Sequence, residues 1–160
     1  MTPRQSPRQW MIVDAPLDPA TERAIRRAPR GSGILLLAHN LPPRQRRELV
    51  RRLRQLAQAR GLALVDEAAP RAAARVHDLR ELRTALLRDT RLILLSPLFA
   101  TPSHPDWRPI PRMRAAALAR LANRRLIALG GMNLARFQRI KPLGFVGWAG
   151  ISAWARALMS

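Results

Sequence analysis

Three short segments in the C-terminal half carry residue types that suit an anion. SPLFATPSHP, Ser96 to Pro105, puts Thr101, Ser103 and His104 on one loop. LGGMN, Leu129 to Asn133, offers side-chain-free backbone amides at Gly130 and Gly131. GISAW, Gly150 to Trp154, sets Ser152 where a helix should begin. Hydroxyl donors, bare amides and the positive end of a helix dipole together fit a phosphate. Any one of these loops alone reads as an ordinary turn or cap. All three, in order after successive strands, read as one phosphate-sized site.

Other residues offer acid/base or metal chemistry. His77, in the run VHDL, stands at the end of a short apolar segment and just before a helix start. Imidazole titrates near neutrality, which suits a proton shuttle, although a histidine at such a place also bonds readily to nearby backbone. His39 and Asn40 end another strand. Asp66 and Glu67 are adjacent, so they need not converge on a metal, and a structural or solvated role competes with metal binding.

The elements that position these residues follow an alternation of short apolar runs and longer amphipathic stretches, as in a parallel β/α protein. Trp10 to Val13 is the first strand, followed by a helix from Pro19 to about Arg27 with Asp18 as its cap. Gly33 to Leu37 is apolar throughout, as a strand covered on both faces should be. From Pro43 to about Ala59, Leu49, Val50, Leu53, Leu56 and Ala57 form one stripe, while Arg47, Arg51, Arg52 and Arg54 face water. Gly61 stops that helix, and Leu62 to Val65 forms a third strand ending at Asp66.

The middle is irregular. Ala68 to Ala74 is Ala-rich and interrupted by Pro, and a brief strand, Arg75 to His77, follows. A parallel crossover needs about a dozen residues or more, so either that strand is vestigial or a whole β/α unit is trimmed between Asp66 and His77. Asp78 then caps a helix carrying Leu79, Leu82 and Leu86. Leu92 to Leu95 is a buried strand, Arg112 to Asn123 a helix, and Leu126 to Leu129 a strand opening into Gly130-Gly131. Asn133 caps a short helix, Gly144 to Trp148 is the last strand, and Ser152 begins a closing helix. The expectation is one β/α-barrel domain over 1–160, shortened to six or seven parallel strands, with 1–8 as a flexible tail.

Composition narrows the chemistry further. The 160 residues contain no cysteine, which excludes disulfides, zinc thiolates and thiol catalysis. No apolar run approaches the roughly 20 residues of a membrane helix, and no signal peptide is visible, so the cytoplasm is expected. The net charge of +19 attracts polyanions. Its arginines are spread along the whole length, and only three Phe and four Trp stand ready to stack on bases. That favours weak, salt-sensitive adhesion over sequence-specific recognition of nucleic acid. Trp107, Trp148 and Trp154 read as core or rim.

HDLREL, ILLSPLFATPSHP, IALGGMN and FVGWAGISAW, with the weaker WMIVD and LPPRQRRELVRRLRQLA, resemble the thiamine phosphate synthase and TenI group of TIM-type β/α barrels. The resemblance implies that Thr101, Ser103, Gly131, Ile151 and Ser152 hold the phosphate of a thiazole phosphate. The synthases of the group join that compound to hydroxymethylpyrimidine diphosphate with Mg²⁺, for which Asp66 is the matching carboxylate. Where their second strand ends in a Gln-Leu-Arg-Glu-Lys-like run, this chain has LLLAHN, and His104 replaces a loop lysine. TenI-like members instead isomerise a thiazole phosphate with a histidine at the position of His77. A non-catalytic, phosphate-binding relative is the third alternative. A homo-oligomer is compatible with each.

Overall fold

The protein is described by a computed structural model that covers residues 6–37 and 39–151. Strands β1 (Gln9–Val13), β2 (Gly33–Leu36), β3 (Ala63–Asp66), β4 (Ala73–Val76), β5 (Leu92–Leu95), β6 (Leu126–Ala128) and β7 (Gly147–Gly150) alternate with helices. The helices are α1 (Pro19–Arg27), α2 (Pro43–Arg60), α3 (Leu79–Leu87), α4 (Arg112–Leu121) and α5 (Leu134–Ile140). The strands form one sheet in the order β3-β2-β1-β7-β6-β5-β4, with every neighbouring pair parallel.

Side chains on a strand alternate between its two faces, and here that alternation separates two cores. One apolar cluster joins Trp10 and Ile12 of β1, Leu35 of β2, Val65 of β3, Ala73 of β4, Leu92 and Leu94 of β5, Ile127 of β6 and Ala149 of β7. All seven strands meet in that single cluster, so the sheet curls round it as a barrel does. The alternate residues, such as Met11, Val13, Ile34, Leu36, Ile93 and Leu95, pack outward against the helices. At the floor the Trp10 ring lies flat on Gly33, where a Cβ would stand 2.3 Å from a ring carbon. Only glycine leaves room for it.

The curl stops one stave short. β3 and β4 occupy the two edges of the sheet, with no strand pairing between them among the described residues. The shortage lies where the sequence has too few residues for a crossover, between Asp66 and His77. A side-chain cluster spans the gap instead. Arg75 donates from Nε to Glu67 Oε1 (2.8 Å) and from Nη2 to Oε2 (3.2 Å), and His39 Nε2 lies 2.5 Å from Oε2. The fork of the guanidinium on the carboxylate is a strong, oriented contact, and the Glu67 side chain is only 11% exposed.

The helices form where local chemistry requires. Asp18, Asp78 and Asn133 each accept from the backbone N–H three residues ahead, at Thr21 (2.6 Å), Glu81 (2.8 Å) and Arg136 (2.8 Å). α2 buries Leu49, Leu53, Leu56 and Ala57 and ends at Gly61. Glu22 of α1 is bonded by Arg52 of α2 and by Arg26, and these partners hold its carboxyl below the usual range. Among the described residues no helix is long and apolar enough to cross a membrane.

β3 runs one residue later than expected, over Ala63–Asp66 rather than Leu62–Val65, and two other strands are shifted further. β4 runs over Ala73–Val76 rather than Arg75–His77, because Ala73 and Ala74 pair with Leu92 and Ile93 of β5. β7 runs over Gly147–Gly150 rather than Gly144–Trp148. Gly144 closes a 3-10 turn over Lys141–Leu143, and the pairing of Trp148 with Gln9 and of Gly150 with Met11 draws the strand onward. Pro7 and Arg8 are tied to the body, since the Trp10 indole N–H donates to the Pro7 carbonyl (3.0 Å) and Trp148 N–H to that of Arg8 (2.8 Å). The closing helix expected from Ser152 and residues 1–5 of the expected tail lie outside the described residues.

Leu53 is fully buried between α2 and the sheet, whereas Leu87 at the end of α3 is 88% exposed. Leu53→Ala is expected to cost about 2–5 kcal/mol in urea unfolding, and Leu87→Ala no more than about 0.5 kcal/mol.

Candidate functional site

Parallel strands deliver their carboxyl ends to one mouth of the barrel, and the loops that follow line it. The cavity there measures about 980 Å³. It gathers Asp14 after β1, His39 and Asn40 after β2, Arg75 and His77 from β4, Ser96 after β5, the turn after β6, and Ile151 after β7. Most of these follow from the inward face of the strands. Asp14 continues Trp10 and Ile12, Leu37 and His39 continue Leu35, and His77 continues Ala73 and Arg75.

The same alternation decides between the two adjacent carboxylates. Val65 faces inward, so Asp66 faces the helices and Glu67 turns back to the interior. Asp66 accepts from Arg46 Nη2 of α2 (2.6 Å) and from the Ala68 N–H (3.0 Å), and it does not line the cavity. Glu67 is engaged by Arg75 and His39. Among the described residues no group of three or more His, Cys, Asp or Glu side chains could hold a metal.

The hydroxyl loop and the Gly-Gly turn are brought together by backbone bonds. Leu98 N–H donates to the Leu129 carbonyl (3.0 Å) and Phe99 N–H to that of Gly130 (3.1 Å). Gly131 has φ +60, and a Cβ there would stand 2.4 Å from the Ala100 carbonyl oxygen. Glycine is required for both the conformation and the approach. Thr101, Ser103, His104, Gly130 and Gly131 all line the cavity, and Thr101 Oγ1 accepts from the Ser103 N–H (3.4 Å). Ser152 lies outside the described residues.

Arg136, in the first turn of α5, adds a cation that the sequence did not single out. Its Nη1 donates to the Gly131 carbonyl, its guanidinium sits 5.0 Å from the centre of the Phe99 ring, and it lines the cavity. On sequence it is one basic residue among many on helices, and only the capped start of α5 beside Gly131 gives it a distinct place.

His77 is held on both sides. Its Nδ1 lies 2.8 Å from the Ser96 carbonyl oxygen and 3.3 Å from Ser96 Oγ, and its ring meets Trp107 edge to face with centroids 5.3 Å apart. A carbonyl oxygen only accepts, so Nδ1 carries the proton. In the neutral ring Nε2 is then the nitrogen with the lone pair, and it has no hydrogen-bond partner among the described residues. In that tautomer a neutral His77 at the cavity wall can accept a proton at Nε2.

Fold and site together define a β/α barrel with a cavity at the carboxyl ends of its strands, lined by hydroxyl residues, a Gly-Gly turn, an arginine and a histidine. Solved structures share this fold. A thiamine phosphate pyrophosphorylase from Pyrococcus furiosus superposes with a TM-score of 0.76 at 20% identity, over 94% of this chain and 88% of that one. A second, from Bacteroides thetaiotaomicron, gives 0.62 at 12% identity, over 92% and 83%. No family model matches the sequence. No curated protein matches it either. At such identities the likeness defines the fold, and activity rests on this chain's own residues.

The turn itself supplies a test. Gly31 also has a positive φ (+81), but nothing lies within 4 Å of a Cβ built there. Gly31→Ala should cost about 1–2 kcal/mol from backbone conformation alone. Gly131→Ala should cost at least about 1 kcal/mol more in denaturant unfolding, because the Ala100 carbonyl must also move.

Proposed function

We propose that this chain binds a thiazole phosphate at the mouth of the barrel and isomerises it by moving one proton on the bound ring. The observation that carries this reading is His77, with Nδ1–H fixed by the Ser96 carbonyl and Nε2 free at the wall of the cavity that holds the anion corner. Thr101 and Ser103 supply hydroxyls, Gly130 and Gly131 supply amides, and Arg136 supplies charge for the phosphate, while Ile151 lines the cavity from the last loop. Nε2 takes a proton from one carbon of the ligand and returns it to another, so the step needs no metal and no second substrate. Such a metabolic role belongs in the cytoplasm.

A second reading is the condensation of thiazole phosphate with hydroxymethylpyrimidine diphosphate, supported by the names of the two solved structures. It must neutralise a leaving pyrophosphate, which the synthases do with Mg²⁺ and cations. Here Asp66 is turned to Arg46, and Arg75 shares its charge with Glu67. Proton transfer asks less of the residues present.

Exchange of solvent deuterium into thiazole phosphate, followed by NMR, separates the readings. Exchange should be unaffected by EDTA and should fall by roughly 10²- to 10⁴-fold in His77→Asn. Exchange that survives in His77→Asn contradicts the isomerase. Thiamine phosphate formed from both substrates, lost on adding EDTA and in Asp66→Asn, would establish the synthase instead. Calorimetric binding of thiazole phosphate with neither activity would leave a non-catalytic binder.

A further inference from the structure

The loop between β5 and α4 carries a pair of rings that the phosphate corner does not use. The indole of Trp107 and the imidazole of His104 lie nearly parallel, 15° apart, with centroids separated by 4.3 Å. The same indole meets His77 at 85°. All three rings line the cavity. Trp107 is 45% exposed, an unusual place for so large an apolar surface unless something covers it. That exposure remains with His104 stacked on the indole, and His104 is itself an exposed residue whose ring nitrogens have no hydrogen-bond partner among the described residues.

The backbone here is better anchored than the ring. His104 N–H donates to the Thr101 carbonyl (3.2 Å), Trp107 N–H to that of His104 (3.1 Å), and Ile110 N–H to that of Pro97 (2.8 Å). Trp107 is therefore placed by the loop, whereas the His104 ring is held by stacking alone and turns about its own side-chain bonds at little cost. An imidazole is a planar, five-membered heteroaromatic ring. The space it takes on the indole has the size and shape of another such ring.

We propose that Trp107 is the platform on which the heterocycle of the substrate stacks, and that His104 holds that place in the free protein and is displaced by the ligand. The inference rests on the thiazole phosphate reading and adds the source of its selectivity. The anion corner takes any phosphate ester, while the indole favours one that carries a planar aromatic ring. A ring stacked on Trp107 also lies beside His77, which shares the same indole.

Calorimetry with inorganic phosphate, glycerol phosphate and thiazole phosphate tests this. Trp107→Leu should weaken thiazole phosphate by roughly 5- to 100-fold, the range of one aromatic stack, and leave the other two unchanged. Trp107→Phe, which keeps a ring, should stay within about threefold of wild type. His104→Ala should tighten thiazole phosphate, since no ring has to be moved. In NMR spectra the His104 ring protons should lose their ring-current shift when thiazole phosphate is added and keep it with inorganic phosphate. Equal loss for all three ligands in Trp107→Leu, equal loss in the Phe and Leu variants, or weaker binding in His104→Ala would overturn the platform. A wild type that binds thiazole phosphate no better than inorganic phosphate overturns the stacking inference alone. One that binds neither overturns the anion site with it.

Discussion

The two-residue alternation of side chains along parallel strands is the constraint on which this molecule depends. It sends Trp10, Leu35, Leu94 and Ile127 into one interior cluster and their neighbours out to the helices. Extended past the strand ends, it carries Asp14, His39, Arg75 and His77 into the cavity. It also turns Asp66 outward to Arg46 and Glu67 inward to Arg75. A slip of one residue in β3 would exchange those two carboxylates, and with them the chemistry open to the site.

The missing stave has consequences of its own. A closed barrel satisfies every strand edge with another strand, whereas here β3 and β4 are left as edges. Glu67 joins them through charge, taking the fork of Arg75 and the ring of His39. Two groups that could have met a second anion are committed to closing the wall. The hydroxyl loop, the Gly-Gly turn, Arg136 and His77 also line the cavity and take no part in that closure. The mouth of the shortened barrel is thus asymmetric, with the Glu67 cluster at the seam and the hydroxyl loop and Gly-Gly turn after β5 and β6.

Much of this was legible from the residues. Helices were clearest, because a cap such as Asp18 or Asp78 and a stripe such as Leu49, Leu53 and Leu56 are local signals. Strand ends were less so, since β4 and β7 are fixed by partners distant in sequence, Leu92 and Gln9 among them. A parallel sheet of six or seven strands and a fault between Asp66 and His77 were both expected, and the sheet has seven. At the site, Thr101, Ser103, His104, Gly130 and Gly131 announced themselves by type and spacing and do line one cavity. Ser96 did not, because its contribution is a backbone carbonyl. Arg136 was hidden among the other arginines, and Trp107 read only as core or rim. The sidedness of Asp66 and Glu67 needed the register of β3 on β2, in which Leu36 stands opposite Asp66.

The central claim is that a ring-bearing phosphate sits with its anion between the hydroxyl loop and the Gly-Gly turn and its ring beside His77. A crystal structure of the complex with thiazole phosphate tests it most directly. The account predicts phosphate oxygens on the amides of Gly130 and Gly131 and on the hydroxyls of Thr101 or Ser103, with the ring within reach of His77 Nε2. Phosphate lodged instead on the arginine face of α2, or at the Arg75–Glu67 cluster with the Gly-Gly turn vacant, would contradict it.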